Sequence, residues 1–448
     1  MGVAQSIIQQ EKDKTKAIAA QLIQLSQKNG ATQAAASLLV NQGFDITVRM
    51  GDVETLTYHN SKAIGLSVYF GQKKATVSGT ASDEQALKEM VEKACFIARH
   101  TQEDSCHGLA DAALMASDIP DLDLYHPWDI TPEQAINAAI AAEKQALMID
   151  PRIKQSEGLD MASVQSCAVY ANSHGFIGQK FATRHSHSCT LIAEQDNHME
   201  RDYDYSVARD PDDLLSIDRI ANNAARKTIE RLSPRKLTTC RVPVIFAARV
   251  AGGLINHFLS AISGDNLYKK SSFLLDQLNQ VVFAPHITID ERPHLLKGLR
   301  SSAYDSEGVA TKERAIVANG VLRHYLLNSY SARKLDQQTT ANAGGARNVF
   351  ISHSDHDLAA LIKKMDKGLL VTDLMGQGIS ILTGDYSRGA SGFWIEHGEI
   401  QYPVTELTIA ANLKAMFANL VDVANDIDDN GNIHTGSILL ESMTVAAG

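Results

Sequence analysis

MGQGISILTGDYSRGASGFWIEHGEIQYPVTELTIAAN, residues 375–412, reads as successive β-strands. Ile379, Ile381 and Thr383 alternate along one strand, and Thr383–Ser391 reads as a glycine-rich reversal. Phe393–Ile395 is apolar, His397-Gly398 turns the chain again, and Ile400-Gln401-Tyr402 extends into Pro403 and Val404. Glycine after His397 suits a tight hairpin because it accepts the left-handed backbone that such a turn requires. The C-terminal half is therefore expected to be β-rich.

Outward from that stretch, a helix is expected at Asp355–Met365 before it and another at Leu407–Asp422, followed by a last strand at Ser437–Val445. The N-terminal half opens with a helix over Ser6–Lys28, whose Ile7, Ile8, Leu22, Ile23 and Leu25 recur at helical spacing. Strands follow at Ala34–Val40, Asp45–Met50, Val53–Tyr58, Ala63–Phe70 and Lys73–Ser78. Ala81-Ser82-Asp83 caps a helix to His100, and Thr131-Pro132-Glu133 starts one that reaches Met148. Further strands are expected at Val164–Tyr170, Gly175–Phe181 and Ser186–Ala193, then a helix over Asp210–Leu232, broken at Ser233-Pro234. A strand at Val242–Phe246 leads into a helix at Ala251–Ser263. The fold class is α+β, in two domains: 1–235, with a satellite boundary near 101–130, and 236–448.

At 448 residues the chain exceeds one ordinary core. Its 44% apolar and 21% charged content is that of a globular protein, and a net charge of −10 argues against binding driven by nucleic-acid phosphates. No apolar run is long enough to span a bilayer, and the first residues lack a signal-peptide core. Met1-Gly2 with Ser6 matches the minimal acylation pattern, which is short enough to recur by chance. Five cysteines without a CxxC pair fit a reduced, cytoplasmic setting.

Individual motifs do not assemble a catalytic centre. No histidine is followed by glutamate, and none stands four or five residues from another. The metal arguments left are His185 with His187, which share a strand face and could take His198 or Glu200 as a further ligand, and His353 with His356; surface or interface polarity is the plainer reading of the first pair. His353 and His356 read as a polar loop opening a helix, with Ser354 or Asp355 as cap. Asp426–Gly431 matches half of a calcium loop, but Ser437 stands where a bidentate glutamate belongs, so a turn is expected. Ser331 and Ser233 each satisfy S-x-x-K without the companion motifs, and Cys95, Cys167 and Cys189 read as buried thiols.

Longer blocks carry more. Asn172–Gly175, Thr183–Ser186, Met199–Tyr203, Leu232–Leu237, Phe273–Asp276, His294–Leu299, Asp305–Val309 and Ser329–Leu335, together with the 375–412 stretch, resemble the TldD/PmbA family of peptidase-related proteins, in its PmbA (TldE) branch. The resemblance spans nearly the whole chain. It implies a zinc-bearing helix in the TldD branch, with an H-E-x-x-x-H motif and a C-terminal cysteine. Aligned on Gly264-Asp265, the corresponding positions here are Ile255, Asn256 and Ser260, and Asn432–Ser437 contains no cysteine.

The resemblance therefore implies a subunit without catalytic residues or a cofactor of its own, the zinc residing in a TldD-like catalytic partner. Unfolded peptides would be held in a shared cavity by β-strand addition. Gly344, Gly345, Arg347 and Asn348, with Arg388 and Gly389 of the glycine-rich segment, are the peptide-binding candidates, either arginine meeting a peptide carboxylate. A homodimer is expected when the partner is absent. The rival readings are a metalloprotease active on its own and a non-enzymatic protein-binding regulator.

Overall fold

The computed structural model describes residues 3–447, with side chains from residue 11 onward. Met1-Gly2 of the acylation pattern lie outside the described residues, as do the side chains of Ile7 and Ile8.

In the N-terminal half, α1 (Val3–Lys28) precedes β1 (Gln33–Arg49), β2 (Asp52–Phe70), β3 (Lys73–Gly79) and α2 (Glu84–His100). Then come α3 (Pro132–Leu147), β4 (Ile153–Asn172), β5 (Ile177–Gln195), β6 (His198–Ala208) and α4 (Ile217–Glu230). The strands form one six-stranded antiparallel sheet in the order β3-β2-β1-β4-β5-β6. Helix starts follow local chemistry: Asp83 caps α2, and Thr131 with Gln134 forms a capping box at α3, where Pro132 occupies the first turn.

The strands are longer than the sequence suggests. Ala34–Val40 and Asp45–Met50 are one 17-residue strand, and Val53–Tyr58 and Ala63–Phe70 one of 19. The polar tract Asn41-Gln42-Gly43 reads as a break, yet β1 stays paired on both sides through it. At Gly43 the β4 backbone comes so close that a Cβ would run into the Ser163 carbonyl oxygen. Likewise the strands expected at Gly175–Phe181 and Ser186–Ala193 merge into the single strand β5, which begins at Ile177 after a turn at Gly175. The charged segment His198–Ala208 becomes β6, unforeseen because its carboxylates find partners only in three dimensions. Of the helix expected over Asp210–Leu232, Ile217–Glu230 forms α4, after a short 3₁₀ turn at Pro211–Asp213.

One face of this sheet carries two helix pairs. Leu22, Leu38, Leu66, Val68 and Val91 form a core with α1 and α2 at one end; Ile46, Leu159, Leu191, Ala139 and Ala224 form another with α3 and α4 at the other.

The C-terminal half begins with β7 (Cys240–Phe246), α5 (Ala248–Ala261) and α6 (Gly264–Tyr268). Next come β8 (Ile289–Glu291), β9 (Arg314–Ala318), β10 (Val321–Leu322), α7 (Ser329–Lys334) and β11 (Val349–Ile351). α8 (Leu358–Met365), β12 (Gly368–Met375), β13 (Asp385–Glu396), β14 (Glu399–Asn412), α9 (Leu413–Ala418), β15 (Leu420–Val423), β16 (Ile433–His434) and β17 (Ile438–Ala447) complete it. A six-stranded sheet runs β14-β13-β12-β7-β17-β15, and β14 also pairs with β17, so it closes on itself. A five-stranded sheet, β10-β9-β8-β11-β16, lies beside it. Phe258, Phe283 and Phe417 form the aromatic centre of their common core, Phe283 stacking on Phe417 at 4.6 Å.

The 375–412 stretch is β-rich as read, with shifted strands. Thr383–Ser391 is not a reversal: Asp385 onward is β13, and the turn lies at Gly376–Gly384, where Ile379 only bridges Tyr386. The His397-Gly398 turn is present, both residues at positive φ. The helix expected at Leu407–Asp422 is instead the end of β14, then α9 and β15, because Leu407–Ala410 pairs with β17. Asp357, rather than Ser354 or Asp355, caps α8.

A buried ionic cluster joins the two halves. Asp202 of β6 receives Arg249 of α5 at 2.7 Å and Arg231, just after α4, at 3.3 Å. Arg231 also faces Glu200 and Asp373, while the Arg249 guanidinium lies over the Tyr203 ring. Asp202 is 4% exposed. Truncating one partner of such a cluster leaves uncompensated charge away from water. Asp202→Ala is expected to cost about 3–5 kcal/mol in denaturant unfolding. Asp202→Ala/Arg249→Ala together should lose clearly less than the sum of the single losses.

Candidate functional site

α5 sets two faces against each other. Leu254, Ile255 and Phe258 point into the core, and Ile255 is fully buried. Asn256 and Ser260, four residues apart on one helical face, line a cavity of about 540 Å³. Its other walls come from the α6 start (Gly264, Asp265, Asn266), the α7 start (Asn328, Ser331), Asn342, Gly344–Ala346, Arg300 and Asn432. The structure thus brings Asn256 and Ser260 together with Gly344 and Gly345.

The Gly344-Gly345 turn is built for this position. Both glycines adopt φ near +88°, at +89° and +88°, a conformation costly for other residues. Gly345 N–H donates to Asn342 O at 2.9 Å, and the Arg300 guanidinium donates to Gly344 O at 2.8 Å. Arg347 is not among the residues that line this cavity. It is 6% exposed, and its guanidinium donates to the Ala343, Gly344 and Gly345 carbonyls, so it braces the turn from behind. Asn348 is fully buried and ties Arg292 O to Ser301. Glu291 accepts from Asn342 Nδ2 and Arg347 N, each at 2.8 Å, and burial holds its carboxyl above the usual range.

Arg388 and Gly389 lie outside this cavity. Both sit in β13, Arg388 donating to the Leu374 and Met375 carbonyls and Gly389 paired with Met375. The 383–393 segment is consumed by pairing to β12 and β14, so it forms wall structure rather than lining.

The cavity's chemistry is that of amides, hydroxyls and backbone. Asp265 and Arg300 are the charged side chains among its lining residues. Ser260 Oγ donates to Asn256 O, Asn266 Nδ2 donates to Ser260 O, and Ser331 Oγ is occupied in the α7 capping box. No histidine or cysteine lines it. The donor set does not fit zinc: Ile255 offers hydrocarbon turned into the core, and Asn256 and Ser260 offer neutral oxygens in place of imidazole or thiolate. Among the described residues no three His, Cys, Asp or Glu side chains converge as a metal site. Asn328, Asn342, Asn432 and Arg300 escaped the sequence reading; the amide-rich tract from Thr339 to Asn348 was the one available signal.

His185 and His187 do share a face of β5, but they serve packing. His185 Nε2 faces His126 O at 2.8 Å and its Nδ1 faces Ser163 Oγ at 3.0 Å, while His187 Nε2 faces Leu215 O. Trp128 packs edge-on against both rings. His356 is bound to Asp422, and Asp426 accepts from Ser437 N and Oγ, which makes the acidic 426–431 segment a stapled turn. His257 packs on Tyr386 beneath α5.

Burial pushes both His185 and His187 below the ordinary 6.5, against the opposing pull of the His126 and Leu215 carbonyls. The folded state therefore keeps them neutral while the unfolded chain takes up protons below 6.5. Their contribution to stability is present above that pH and is lost as pH falls through it. The thermal midpoint is expected to fall from pH 7.5 to 5.5 more steeply in the wild type than in His185→Gln/His187→Gln. Added zinc should leave the midpoint at pH 7.5 unmoved, where a ligating pair would raise it.

Comparison with known proteins follows this geometry closely. Family models for the PmbA/TldA metallopeptidase match in three parts: domain 1 over residues 34–98, the central domain over 125–232 and the C-terminal domain over 239–447. The first two share the N-terminal six-stranded sheet. The chain is 45% identical to metalloprotease PmbA of Escherichia coli O157:H7 over 446 residues, covering 100% of this chain and 99% of that one. It is 47% identical to a metalloprotease PmbA homologue of Haemophilus influenzae, covering 95% and 94%. A Bacteroides thetaiotaomicron crystal structure, described as a candidate modulator of DNA gyrase, superposes with a TM-score of 0.92 at 26% identity, covering 98% of this chain and 100% of that one. TldE from Thermococcus kodakarensis, at 18% identity and a TM-score of 0.85 over 96% and 100%, shares the fold. With matches along nearly its full length in sequence and architecture, the chain belongs to the PmbA/TldA metallopeptidase family.

Proposed function

We propose that this chain is the PmbA/TldE-type subunit of a TldD–PmbA metallopeptidase complex, forming the cavity and holding unfolded peptide while a TldD-like partner carries the zinc. The observation that carries this reading is the α5 face: Asn256 and Ser260 look into a cavity of about 540 Å³ beside the Gly344-Gly345 turn, whose lining residues include one carboxylate, Asp265, and no histidine or cysteine. Amides offer both a donor and an acceptor, which is what an extended peptide backbone requires, and such recognition uses groups that every residue owns. The five free thiols accord with work in the cytoplasm, and self-association in the absence of the partner belongs to the same reading.

The test is direct. The purified chain alone should contain no stoichiometric zinc and leave an unfolded peptide intact, and the mixture with a TldD-like chain should cleave it. Cleavage by the chain alone, sensitive to chelator, would favour the independent metalloprotease; a stable mixture with unchanged proteolysis would favour the regulator. Within the active mixture, Asn256→Leu is expected to raise KM for peptide about three- to tenfold, the loss of roughly one or two neutral hydrogen bonds. Asn256 is exposed on its helix, so the thermal midpoint should stay where it is.

A further inference from the structure

The C-terminal half lays its 295–306 segment against the face of the first sheet opposite α1, and the space between is cationic. Gly178 of β5 is pressed against the Tyr304 ring, which fixes that face, and Lys180 two residues on shares it. Lys180 stands at the junction of two cavities, of about 490 and 460 Å³, whose other shared residues are Ser302 and Tyr304. Among the described residues it makes no hydrogen bond or ion pair.

Its neighbours do not neutralise it. Arg347, Arg209 and Arg300 all act on it through space, and each gives its N–H groups to backbone carbonyls instead of carboxylates: Arg209 to Thr183 and Leu299, Arg300 to Gly344, Arg347 to residues 343–345. Burial first, then these three guanidiniums, lower the Lys180 ammonium to about 8. Asp305 lines the second cavity, but its oxygens accept the N–H groups of Glu307, Val309 and Ala343. Asp121 and Asp123, at the far wall of the first cavity, are exposed; one accepts from its own turn and the other pairs with His126. Asp305 and Glu291 oppose Arg347 through space, but among the described residues no carboxylate pairs with Lys180, Arg209 or Arg300; in a chain of net charge −10, such an excess of cations marks a place for an anionic ligand.

The same cavity is bordered by unpaired backbone. β5 meets β6 only from His185 onward, and Thr183 is taken by Leu124 and Arg209, so Ile177–Ala182 is sheet edge without a strand partner on that side. Thr183 N–H already points outward, donating to Leu124 O at 2.9 Å. By antiparallel alternation Phe181 and Gln179, which line the 490 Å³ cavity, turn their N–H and C=O groups the same way. A phosphate alone would leave that edge unused; a peptide would use both.

We propose that the β5 edge at Gln179–Phe181 and Lys180 together form a subsite for an extended peptide bearing a carboxylate, the edge pairing with its backbone and the ammonium with its negative charge. The carboxylate is either a chain terminus or an acidic side chain. The subsite rests on the peptide-holding function proposed above but lies apart from the Asn256 cavity, so the two can fail separately.

The experiment measures anisotropy of fluorescein-labelled, unstructured ten-residue peptides with the full chain. One probe has a free C-terminus and no acidic residues, one is amidated with an internal Asp, and one is amidated and neutral. The wild type should bind at least one carboxylate form about tenfold or more tightly than the neutral one, and Lys180→Gln should abolish that margin while Lys180→Arg largely keeps it. Which carboxylate form is favoured identifies the source. Because Lys180 faces other cations and has no partner, Lys180→Gln should hold or raise the thermal midpoint, separating lost binding from lost fold. Equal binding of carboxylate peptides by wild type and Lys180→Gln overturns the subsite; if Asn256→Leu then still weakens the neutral probe, the peptide-holding function stands. Protection of the wild type by inorganic phosphate, with no preference for carboxylate peptides, also overturns it. Failure of every peptide to bind, with or without the TldD-like partner, overturns both.

Discussion

Asp202 is the constraint on which the arrangement of the two halves depends. It sits on β6, the last strand of the first sheet, and is reached by Arg231 from its own half and by Arg249 from the first turn of α5. Burying a carboxylate is unfavourable unless strong, well-oriented partners replace its water, and guanidinium groups do this with directional hydrogen bonds. Charge pairing of this kind fixes orientation more firmly than apolar contact, because a slipped interface would strand an ion. Since Arg249 opens the helix whose opposite end bears Asn256 and Ser260, the cluster also sets where the candidate site stands relative to the first sheet. Elsewhere on the joint, Arg209, Lys297 and Arg333 reach across to backbone or carboxylate of the other half, beside an apolar contact of Phe176 with Tyr304.

What was legible in the sequence follows from the range of the forces involved. Caps and tight turns are local, so Asp83, Thr131 with Pro132, and His397-Gly398 spoke for themselves. Strand continuity is not local. Asn41-Gln42-Gly43 carries loop chemistry and is held extended only because β2 and β4 pair on either side. Leu407–Asn412 has helix-forming neighbours and becomes strand because β17 closes the sheet against it. β6 is the clearest instance: His-Met-Glu-Arg-Asp-Tyr-Asp has the composition of a solvated loop until Arg231, Arg249 and Lys227 arrive from elsewhere.

The candidate site divides along the same line. Gly344 and Gly345 were readable because positive φ leaves a mark in composition, and both line the cavity. The arginines misled. A guanidinium near a glycine-rich turn suggests a ligand contact, but Arg347 and Arg388 each spend their donors on carbonyls that the turn or strand leaves open. An arginine is free for a ligand only after the local backbone has been satisfied, and sequence does not carry that accounting. Lys180 is the converse: an unremarkable residue within a strand, significant only because the fold surrounds it with cations and brings no carboxylate to it.

The α5 helix indicates how its cavity face can carry Asn256 and Ser260 rather than histidines. Its anchoring rests on Leu254, Ile255 and Phe258 in the aromatic core and on Arg249 at its start, none of which faces the cavity. Residues on the opposite face carry little of the stability, so Asn256 and Ser260 are compatible with the same backbone that a ligand-bearing helix would need. What they change is charge. Imidazoles and carboxylates around an absent cation would repel one another or take up protons, and either would disturb the cavity. Neutral amides and hydroxyls leave that helix face polar without adding charge to it. Under the proposed reading, that is the physical requirement on a subunit that must grip a substrate backbone while the hydrolytic chemistry proceeds on another chain.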